Sequence, residues 1–314
     1  FSQIKEEVPE LNKIKCEIDA ISFDNPVDSS NVNTEIWEKI GDLIWDRYHA
    51  YDGFVVLHGT DTMSFTASAL SFMFVNLTKP IIFTGSQLPI GTVRTDGKEN
   101  LITAIEIAAD KKNGSPVIQE VAIYFEYQLF RANRTTKISS EHFDAFKSFN
   151  YPPLAEAGIN INYNYSSLFR SNLKEVDYFS GFNAGVSTIV FFPGITIDHL
   201  VHMFNNPQIK ILILLTYGAG NLPLNDQLID LIQKQIKKGK IIVNLSQCIA
   251  GKVDQSKYET GRQLESVGVI GAEDMTFEAL ISKSMLLLKK YQDVKEISKM
   301  LLHPLSGEIS TLDT

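Results

Sequence analysis

The stretch 54–66, FVVLHGTDTMSFT, decides the fold that we expect for the rest of the chain. Its four leading apolar residues stop abruptly at the polar segment HGTDT (58–62), after which an apolar stretch resumes. This pattern predicts a short buried strand, a polar loop and then a helix. Because ligands of parallel sheets bind at the carboxyl ends of strands, the loop is a candidate binding site.

Apolar strands alternate with amphipathic helices along most of the sequence, which predicts parallel sheets with helices on both faces. The predicted strands cover 16–23, 54–57, 81–84, 117–125, 127–132, 185–192, 209–217 and 240–246, and the predicted helices cover 33–51, 61–76, 97–111, 197–205, 224–238, 275–290 and 293–302.

The segment 148–183 interrupts this alternation with prolines, asparagines and tyrosines, and it predicts an irregular connection. We therefore expect two α/β domains. The larger N-terminal domain is a doubly wound, mainly parallel sheet over residues 1–165. A linker at 166–184 leads to a smaller C-terminal α/β domain over 185–314.

Composition narrows the possible functions. The 314 residues carry a net charge of −8, which does not favour binding to nucleic acid or to an anionic membrane. No apolar run approaches the 18 residues of a membrane span. Two cysteines, Cys16 and Cys248, give neither a disulfide framework nor a zinc motif. His199 and His202 lie one helical turn apart with no third ligand nearby, so no metal site is predicted.

Four predicted strands end in small polar residues: HGTDT, TGSQLP (84–89), YGAGNLP (217–223) and SQC (246–248). Helices that start at such loops offer free N–H groups, which favours a small anionic or zwitterionic ligand. Each loop alone is also ordinary capping or turn chemistry. None matches a P-loop, a dinucleotide fingerprint or a GxSxG nucleophile elbow, so the loops alone do not identify a reaction.

Several longer motifs together resemble those of a known enzyme family. The segments HGTDTM (58–63), VDSSNV (27–32), TGSQLPIGTVRTDGKENL (84–101), RANRTTK (131–137) and QCIAGKV (247–253) together resemble the bacterial-type L-asparaginases, most closely their type I, cytosolic branch. This resemblance implies hydrolysis of L-asparagine to L-aspartate and ammonia through a β-aspartyl-threonine intermediate. It also implies no cofactor, a cytoplasmic location, and a homodimer or homotetramer with its sites at the dimer interface.

The resemblance also assigns site residues. Thr60, Asp61 and Lys137 match a catalytic hydroxyl–base set, and Thr60 and Asp61 also contact the substrate, Asp61 through the α-ammonium. Ser29 and Ser30 match residues that hold the substrate α-carboxylate. Asn221 matches a substrate-binding residue that reaches in from a neighbouring subunit.

The chemistry of these residue types fits such a substrate without the resemblance. Hydroxyl donors suit a carboxylate, and a carboxylate suits an ammonium group. A threonine hydroxyl becomes a nucleophile only when a base takes its proton. Lys137 can be that base only when it is neutral. N–H groups at the start of helix 61–76 can stabilise the oxyanion that develops.

Two departures from the family pattern stand out. The usual nucleophile lies in a Gly-rich TGGT turn after the first strand, and this sequence contains no such turn, so we expect that strand and turn to precede residue 1. Some type I relatives also bind asparagine as an effector through an arginine, where this chain has Leu215. We therefore expect no effector clamp at that position.

Two alternatives remain open from the sequence. One is the asparaginase-like subunit of a tRNA-dependent amidotransferase, although the acidic composition does not favour RNA contact. The other is a non-catalytic amino-acid-binding relative, which only the missing nucleophile turn supports.

Overall fold

The computed structural model describes residues 6–170, 175–223 and 225–310. The chain divides into two compact units, Phe1–Ser180 and Gly181–Thr314, called unit 1 and unit 2 below. This division falls inside the predicted linker 166–184, and the finer boundaries of the two domains stay a prediction. Among the described residues, no helix is both long and apolar enough to cross a membrane.

Unit 1 is built on a six-stranded mixed sheet in which the strands follow one another in sequence order. The strands are β1 (Phe54–Leu57), β2 (Ile81–Thr84), β3 (Val121–Phe125), β4 (Gln128–Arg131), β5 (Ala155–Ala157) and β6 (Ile161–Tyr163). The first three pair in parallel, and each later strand pairs antiparallel to its neighbour.

The change of direction occurs at the turn between β3 and β4. Glu126 and Tyr127 form this turn with positive φ angles of 44° and 66°. Two central residues with positive φ allow a tight hairpin, so β4 folds back beside β3 instead of crossing over through a helix. The predicted parallel sheet is therefore parallel only in its first half.

Three helices belong to unit 1: α1 (Thr34–Trp45), α2 (Met63–Met73) and α3 (Gly97–Ala109). Asn33 caps α1 as predicted, because its side chain accepts a hydrogen bond from the Ile36 N–H at 3.1 Å. α3 packs Ala104 and Ile107 against the sheet. α2 is buried along nearly its whole length and contacts β3.

Short elements complete unit 1. Its 3₁₀ turns cover Pro9–Lys13, Ser29–Asn31, Thr60–Thr62, Ala132–Arg134 and Tyr165–Ser167. Its two-residue ladders pair Phe74–Val75 with Asp177–Tyr178, Lys111–Lys112 with Ser115–Pro116, and Thr136–Lys137 with Phe146–Lys147.

Two predictions for unit 1 were wrong. The segment 16–23 forms no strand; Cys16 and Ile18 pack on an apolar cluster, but the segment pairs with no described strand. The segment 148–183 is not wholly irregular, since β5 and β6 lie within it. In the first segment only Cys16 and Ile18 pack on the cluster, while Ile21 is 57% exposed, so the segment lacks the burial as well as the pairing of a strand.

Unit 2 is a four-stranded parallel sheet covered by helices. Its strands are β7 (Val186–Val190), β8 (Ile211–Thr216), β9 (Ile241–Ser246) and β10 (Ile270–Gly271), and its helices are α4 (Ile197–Asn205), α5 (Asp226–Lys237), α6 (Glu259–Ser266), α7 (Phe277–Lys290) and α8 (Val294–Leu302).

The two faces of this sheet are covered by different helices. Leu212 and Leu214 of β8 pack in one apolar cluster with α4 and α5, whereas Ile211 and Ile213 pack in another with α7 and α8. This confirms the predicted α/β class. α6 and β10 were not predicted, and residue 224 of the predicted helix 224–238 lies outside the described residues.

A buried ion pair in unit 2 joins α7 to the segment that follows α8. Lys283 Nζ lies 2.6 Å from Glu308 Oε1 and also donates to the Leu301 and His303 carbonyls, both at 2.8 Å. Burial acts to raise the pKa of Glu308, but the Lys283 charge and backbone N–H donors outweigh it, so this pKa is lowered.

We predict that Lys283→Met lowers the free energy of unfolding by about 3–5 kcal/mol, because it leaves the Glu308 carboxylate buried without its cation. Urea titration measures the loss. Since folding lowers the Glu308 pKa, the pair contributes stability above the carboxyl's unfolded pKa, and this contribution is lost as pH falls through the folded value. Lys283→Met combined with Glu308→Leu should recover most of the loss; no recovery would contradict the assignment.

Candidate active site

The HGTDT loop lies at the carboxyl end of β1. Gly59 continues the extended backbone, and Thr60–Thr62 form a 3₁₀ turn that leads directly into α2 at Met63. The predicted helix 61–76 thus begins as a 3₁₀ turn and ends earlier, at Met73. This arrangement holds the Thr60 and Asp61 side chains at the strand end, where a ligand of a parallel sheet is expected.

A close approach joins this loop to the turn Ser29–Asn31. A Cβ atom placed on Gly59 would lie 2.7 Å from Ser29 Cβ and 2.8 Å from Ser29 Oγ. The Thr62 hydroxyl donates to the Ser29 carbonyl at 2.7 Å, and Ser29 is buried. Only glycine leaves room for this contact, so Gly59 sets the position of the predicted carboxylate-binding serine beside the loop.

The neighbouring Ser30 is more exposed, and Asp28 engages it. The Ser30 hydroxyl and the Ser30 backbone N–H both donate to Asp28 Oδ1, at 2.6 and 2.8 Å. These bonds lower the pKa of the Asp28 carboxyl. They fix the turn that presents Ser29 and Ser30 together.

Lys137 is brought to the HGTDT loop from far along the chain. Its Nζ donates to Thr60 Oγ1 at 2.8 Å and to Asp61 Oδ1 at 2.7 Å. The Lys137 side chain is 17% exposed and that of Asp61 63% exposed, so the pair opens toward solvent on the carboxylate side. The structure therefore brings together the three residues that the resemblance assigned to catalysis.

Gln87 also reaches this set, although the sequence analysis did not single it out. Thr60 Oγ1 donates to Gln87 Oε1 at 3.0 Å, and Gln87 Nε2 donates to the His142 carbonyl at 3.1 Å. The sequence feature that could have indicated Gln87 was its place in the TGSQLP loop, directly after β2. Polar residues at the ends of two adjacent parallel strands are expected to meet.

His58 anchors the start of the loop. Its Nδ1 lies 2.6 Å from the Gly59 carbonyl and its Nε2 2.9 Å from Thr66 Oγ1, which also accepts a bond from Trp37 Nε1 at 3.1 Å. Burial lowers the pKa of His58, so the ring is neutral at pH 7. Because a carbonyl only accepts, the ring hydrogen is on Nδ1 and Nε2 is an acceptor. The single Thr66 hydrogen can go either to Nε2 or to the Thr62 carbonyl, which lies 3.2 Å from Thr66 Oγ1.

Asn221 and Leu215 both belong to unit 2. Asn221 closes the turn after β8, where its carbonyl accepts from the Tyr217 N–H at 2.7 Å and its Oδ1 accepts from Thr260 Oγ1 at 2.7 Å. Leu215 lies in β8 and packs on an apolar cluster. A role for Asn221 in a neighbouring subunit's site stays a prediction. Across the described part of the chain, no group of three or more His, Cys, Asp or Glu side chains could hold a metal ion.

The chain belongs to the asparaginase family. The family model described as Asparaginase, N-terminal matches residues 1–169, and the one described as Glutaminase/Asparaginase C-terminal domain matches residues 185–301. Among curated proteins, the chain is 42% identical over 294 residues to L-asparaginase 1 of Escherichia coli strain K12, which covers 91% of this chain and 83% of that protein.

Two solved L-asparaginase structures superpose on this chain over most of its length. L-asparaginase I from Vibrio cholerae superposes with a TM-score of 0.84 at 40% identity, covering 92% of this chain and 85% of that one. The thermostable L-asparaginase from Thermococcus kodakarensis gives a TM-score of 0.90 at 31% identity and covers 99% of this chain and 92% of that one. The fold class expected from the sequence is thereby confirmed.

We predict that Gly59→Ala pushes the turn Ser29–Asn31 away from the HGTDT loop, because the new methyl group would overlap Ser29. The free energy of unfolding should fall by about 1–3 kcal/mol, as is usual for overpacking, and urea titration measures it. Gly91→Ala is the matched control, since the nearest atom to its Cβ, Glu7 Oε1, is 4.0 Å away. Equal stability of the two variants would show that the turn moves freely.

Proposed function

We propose that this protein hydrolyses L-asparagine to L-aspartate and ammonia through a β-aspartyl-threonine intermediate and without a cofactor. The observation that carries the proposal is the pair of Lys137 contacts, 2.8 Å to Thr60 Oγ1 and 2.7 Å to Asp61 Oδ1, at the carboxyl end of β1. Membership of the asparaginase family and the names of its relatives support the choice of substrate.

The substrate-binding roles follow from charge. Asp61 gives one carboxylate oxygen to Lys137, and its exposed remainder suits the α-ammonium of a free amino acid. Ser29 lies in a short turn beside the loop, where its hydroxyl suits the α-carboxylate. The Ser30 hydroxyl and N–H already donate to Asp28, so Ser30 can bind the carboxylate only by exchanging that partner. These contacts would orient the side-chain amide toward the threonine hydroxyl.

The reaction proceeds in two steps, formation of an ester with the threonine and then its hydrolysis. Neutral Lys137 takes the threonine proton and the threonine oxygen attacks the amide carbon. The charged Lys137 then returns the proton to the amide nitrogen, and the C–N bond breaks as ammonia leaves. Water then attacks the β-aspartyl ester, and the threonine regains its proton as L-aspartate departs. Thr60 is the hydroxyl in contact with Lys137. The resemblance assigns the attacking oxygen to another threonine in the Gly-rich turn, and it places Thr60, Asp61 and Lys137 in a second hydroxyl–base set.

The same proposal extends to the assembly and its location. We expect a homodimer or homotetramer in which Asn221 of one subunit completes the site of another. The Asn221 amide nitrogen has no hydrogen-bond partner among the described residues, so it is free to bind a carboxylate. A cytoplasmic location is in keeping with two cysteines that are both free thiols.

We predict that Thr60→Val and Lys137→Met each lower kcat for asparagine roughly 10²–10⁴-fold, because each removes one member of the proton-transfer pair. Ammonia release measures the rate. Thr92→Val and Lys147→Met are matched controls: Thr92 Oγ1 bonds only within its own loop, and Lys147 lies on the ladder strand beside Lys137. Activity of either site variant within a few-fold of the parent would refute its catalytic role.

We predict that mixing two inactive variants, Lys137→Met and Asn221→Ala, restores part of the activity. If Asn221 serves the neighbouring subunit, a hybrid dimer contains one site with both residues intact. Mixing Lys137→Met with Thr60→Val is the control, because both changes lie in unit 1 and no intact site can form. The idea is wrong if sedimentation shows a fully active monomer, or if the first mixture stays inactive while hybrids form.

A further inference from the structure

The Gln87 side chain uses both ends of its amide between two fixed partners. Its Oε1 accepts from Thr60 Oγ1 at 3.0 Å, and its Nε2 donates to the His142 carbonyl at 3.1 Å. A carbonyl oxygen can only accept, so the amide nitrogen must face His142. The amide oxygen therefore faces Thr60, and the opposite orientation of the amide would place two acceptors together at His142.

The backbone of Gln87 is held as firmly as its side chain. The Gln87 N–H donates to both carboxylate oxygens of buried Asp96, at 2.9 and 3.1 Å, and the Leu88 N–H donates to the same carboxylate at 3.1 Å. Fully buried Asn100 also donates to Asp96, at 3.2 Å, and to the Gly85 carbonyl, at 3.0 Å. The loop that carries Gln87 thus has little freedom to move away from Thr60.

These contacts determine where the Thr60 hydrogen lies. A hydroxyl has one hydrogen, and Gln87 Oε1 can only accept, so the hydrogen points at Gln87. The Thr60 oxygen is then an acceptor toward Lys137, which must donate to it at 2.8 Å. With Gln87 in place, Thr60 can donate to a neutral Lys137 only by breaking its bond to Gln87.

We propose that Gln87 is a positioning residue that sets the direction of the hydrogen bond between Thr60 and Lys137. In the free protein it holds the Thr60 hydrogen away from Lys137, which favours the charged, donating lysine. Gln87 accepts the Thr60 hydrogen bond but takes no proton itself, so it acts through the Thr60–Lys137 pair. The structural part of this inference does not depend on the substrate; its effect on rate rests on the proposed function.

The expected consequence is a change in the proton affinity of Lys137. Removing the acceptor lets Thr60 donate to neutral Lys137, which stabilises the neutral form. Replacing the amide by a carboxylate strengthens the acceptor and adds a negative charge, which stabilises the charged form. This variant also loses the donor to the His142 carbonyl, so its side chain must turn one oxygen away from that carbonyl. Other charged or titratable groups on the elements that pack here are the side chains of Asp61, Asp96, His58, His142 and Lys147. None of these residues is substituted in the Gln87 variants.

Two variants, Gln87→Met and Gln87→Glu, test the proposal by NMR titration of Lys137 in the whole protein with ¹³C-labelled lysine. The Lys137→Met spectrum assigns the signal. We expect the titration midpoint to move down in Gln87→Met and up in Gln87→Glu, each by about half to one pH unit, which is the size of one neutral hydrogen bond. This readout needs no activity, so it remains decisive even if the protein does not hydrolyse asparagine.

Kinetics supply the second measurement. With asparagine as substrate, the midpoint of the rising limb of kcat against pH should move in the same two opposite directions, while KM stays within about 2-fold. Thr95→Val is the control: it removes a hydroxyl that bonds to the Leu88 carbonyl at 2.9 Å in the same loop but does not contact Thr60.

Three results would overturn the proposal. The first is an unchanged or raised Lys137 midpoint in folded Gln87→Met. The second is an equal shift in Thr95→Val, which would mean that loop order alone is responsible. The third is a raised KM at unchanged kcat, which would mean that Gln87 binds substrate. If Gln87→Glu does not fold, the Gln87→Met measurement decides alone.

Discussion

The in-register parallel pairing of β1 with β2 is the constraint on which the candidate site depends. Leu57 lies opposite Thr84, and the His58 N–H continues the ladder by donating to the Thr84 carbonyl at 2.9 Å. A Cβ atom on Gly85 would lie 2.2 Å from the His58 carbonyl, so only glycine permits this closeness. Because both strands end at the same level, the HGTDT and TGSQLP loops emerge side by side, with Thr60 and Gln87 in contact.

Lys137, the third residue of the site, is held by a short ladder and not by the β1–β2 pairing. Lys137 lies on a two-residue ladder that follows the buried residues Asn133, Arg134 and Thr135. This setting turns what would otherwise be a solvated lysine into a side chain that is 17% exposed and directed at two partners. The exposed carboxylate of Asp61 limits the stability gained from their ion pair. The contact is therefore better understood as positioning of the amine than as a contribution to folding.

The sequence predicted those parts of the structure that local pattern controls. The strands 54–57 and 81–84 and the helix 197–205 were predicted with the bounds that the structure shows. The β3–β4 hairpin turn was missed, because Glu126 and Tyr127 adopt positive φ without the glycine or asparagine that signals such a turn. The strand prediction for 16–23 was wrong because its apolar residues do not signal strand pairing: Cys16 and Ile18 pack on a cluster, and Ile21 is exposed.

The candidate site was also predictable only in part, because local sequence does not show which distant residues meet. Thr60, Asp61 and Lys137 came from a resemblance, since no spacing rule joins residues 76 or 77 positions apart, and the structure brings them together. For Gln87 the sequence offered only its place in the TGSQLP loop, because its contacts with Thr60 and the His142 carbonyl exist only in three dimensions. Asn100 has a wider consequence. Its amide donates to Asp96 and to the Gly85 carbonyl, and its oxygen accepts from the Glu126 N–H at 3.2 Å. One buried amide thus joins the loop after β2 to the hairpin turn after β3. A substitution at Asn100 would remove support from both at once, so the energetic effects of substitutions in these two loops are expected to be coupled.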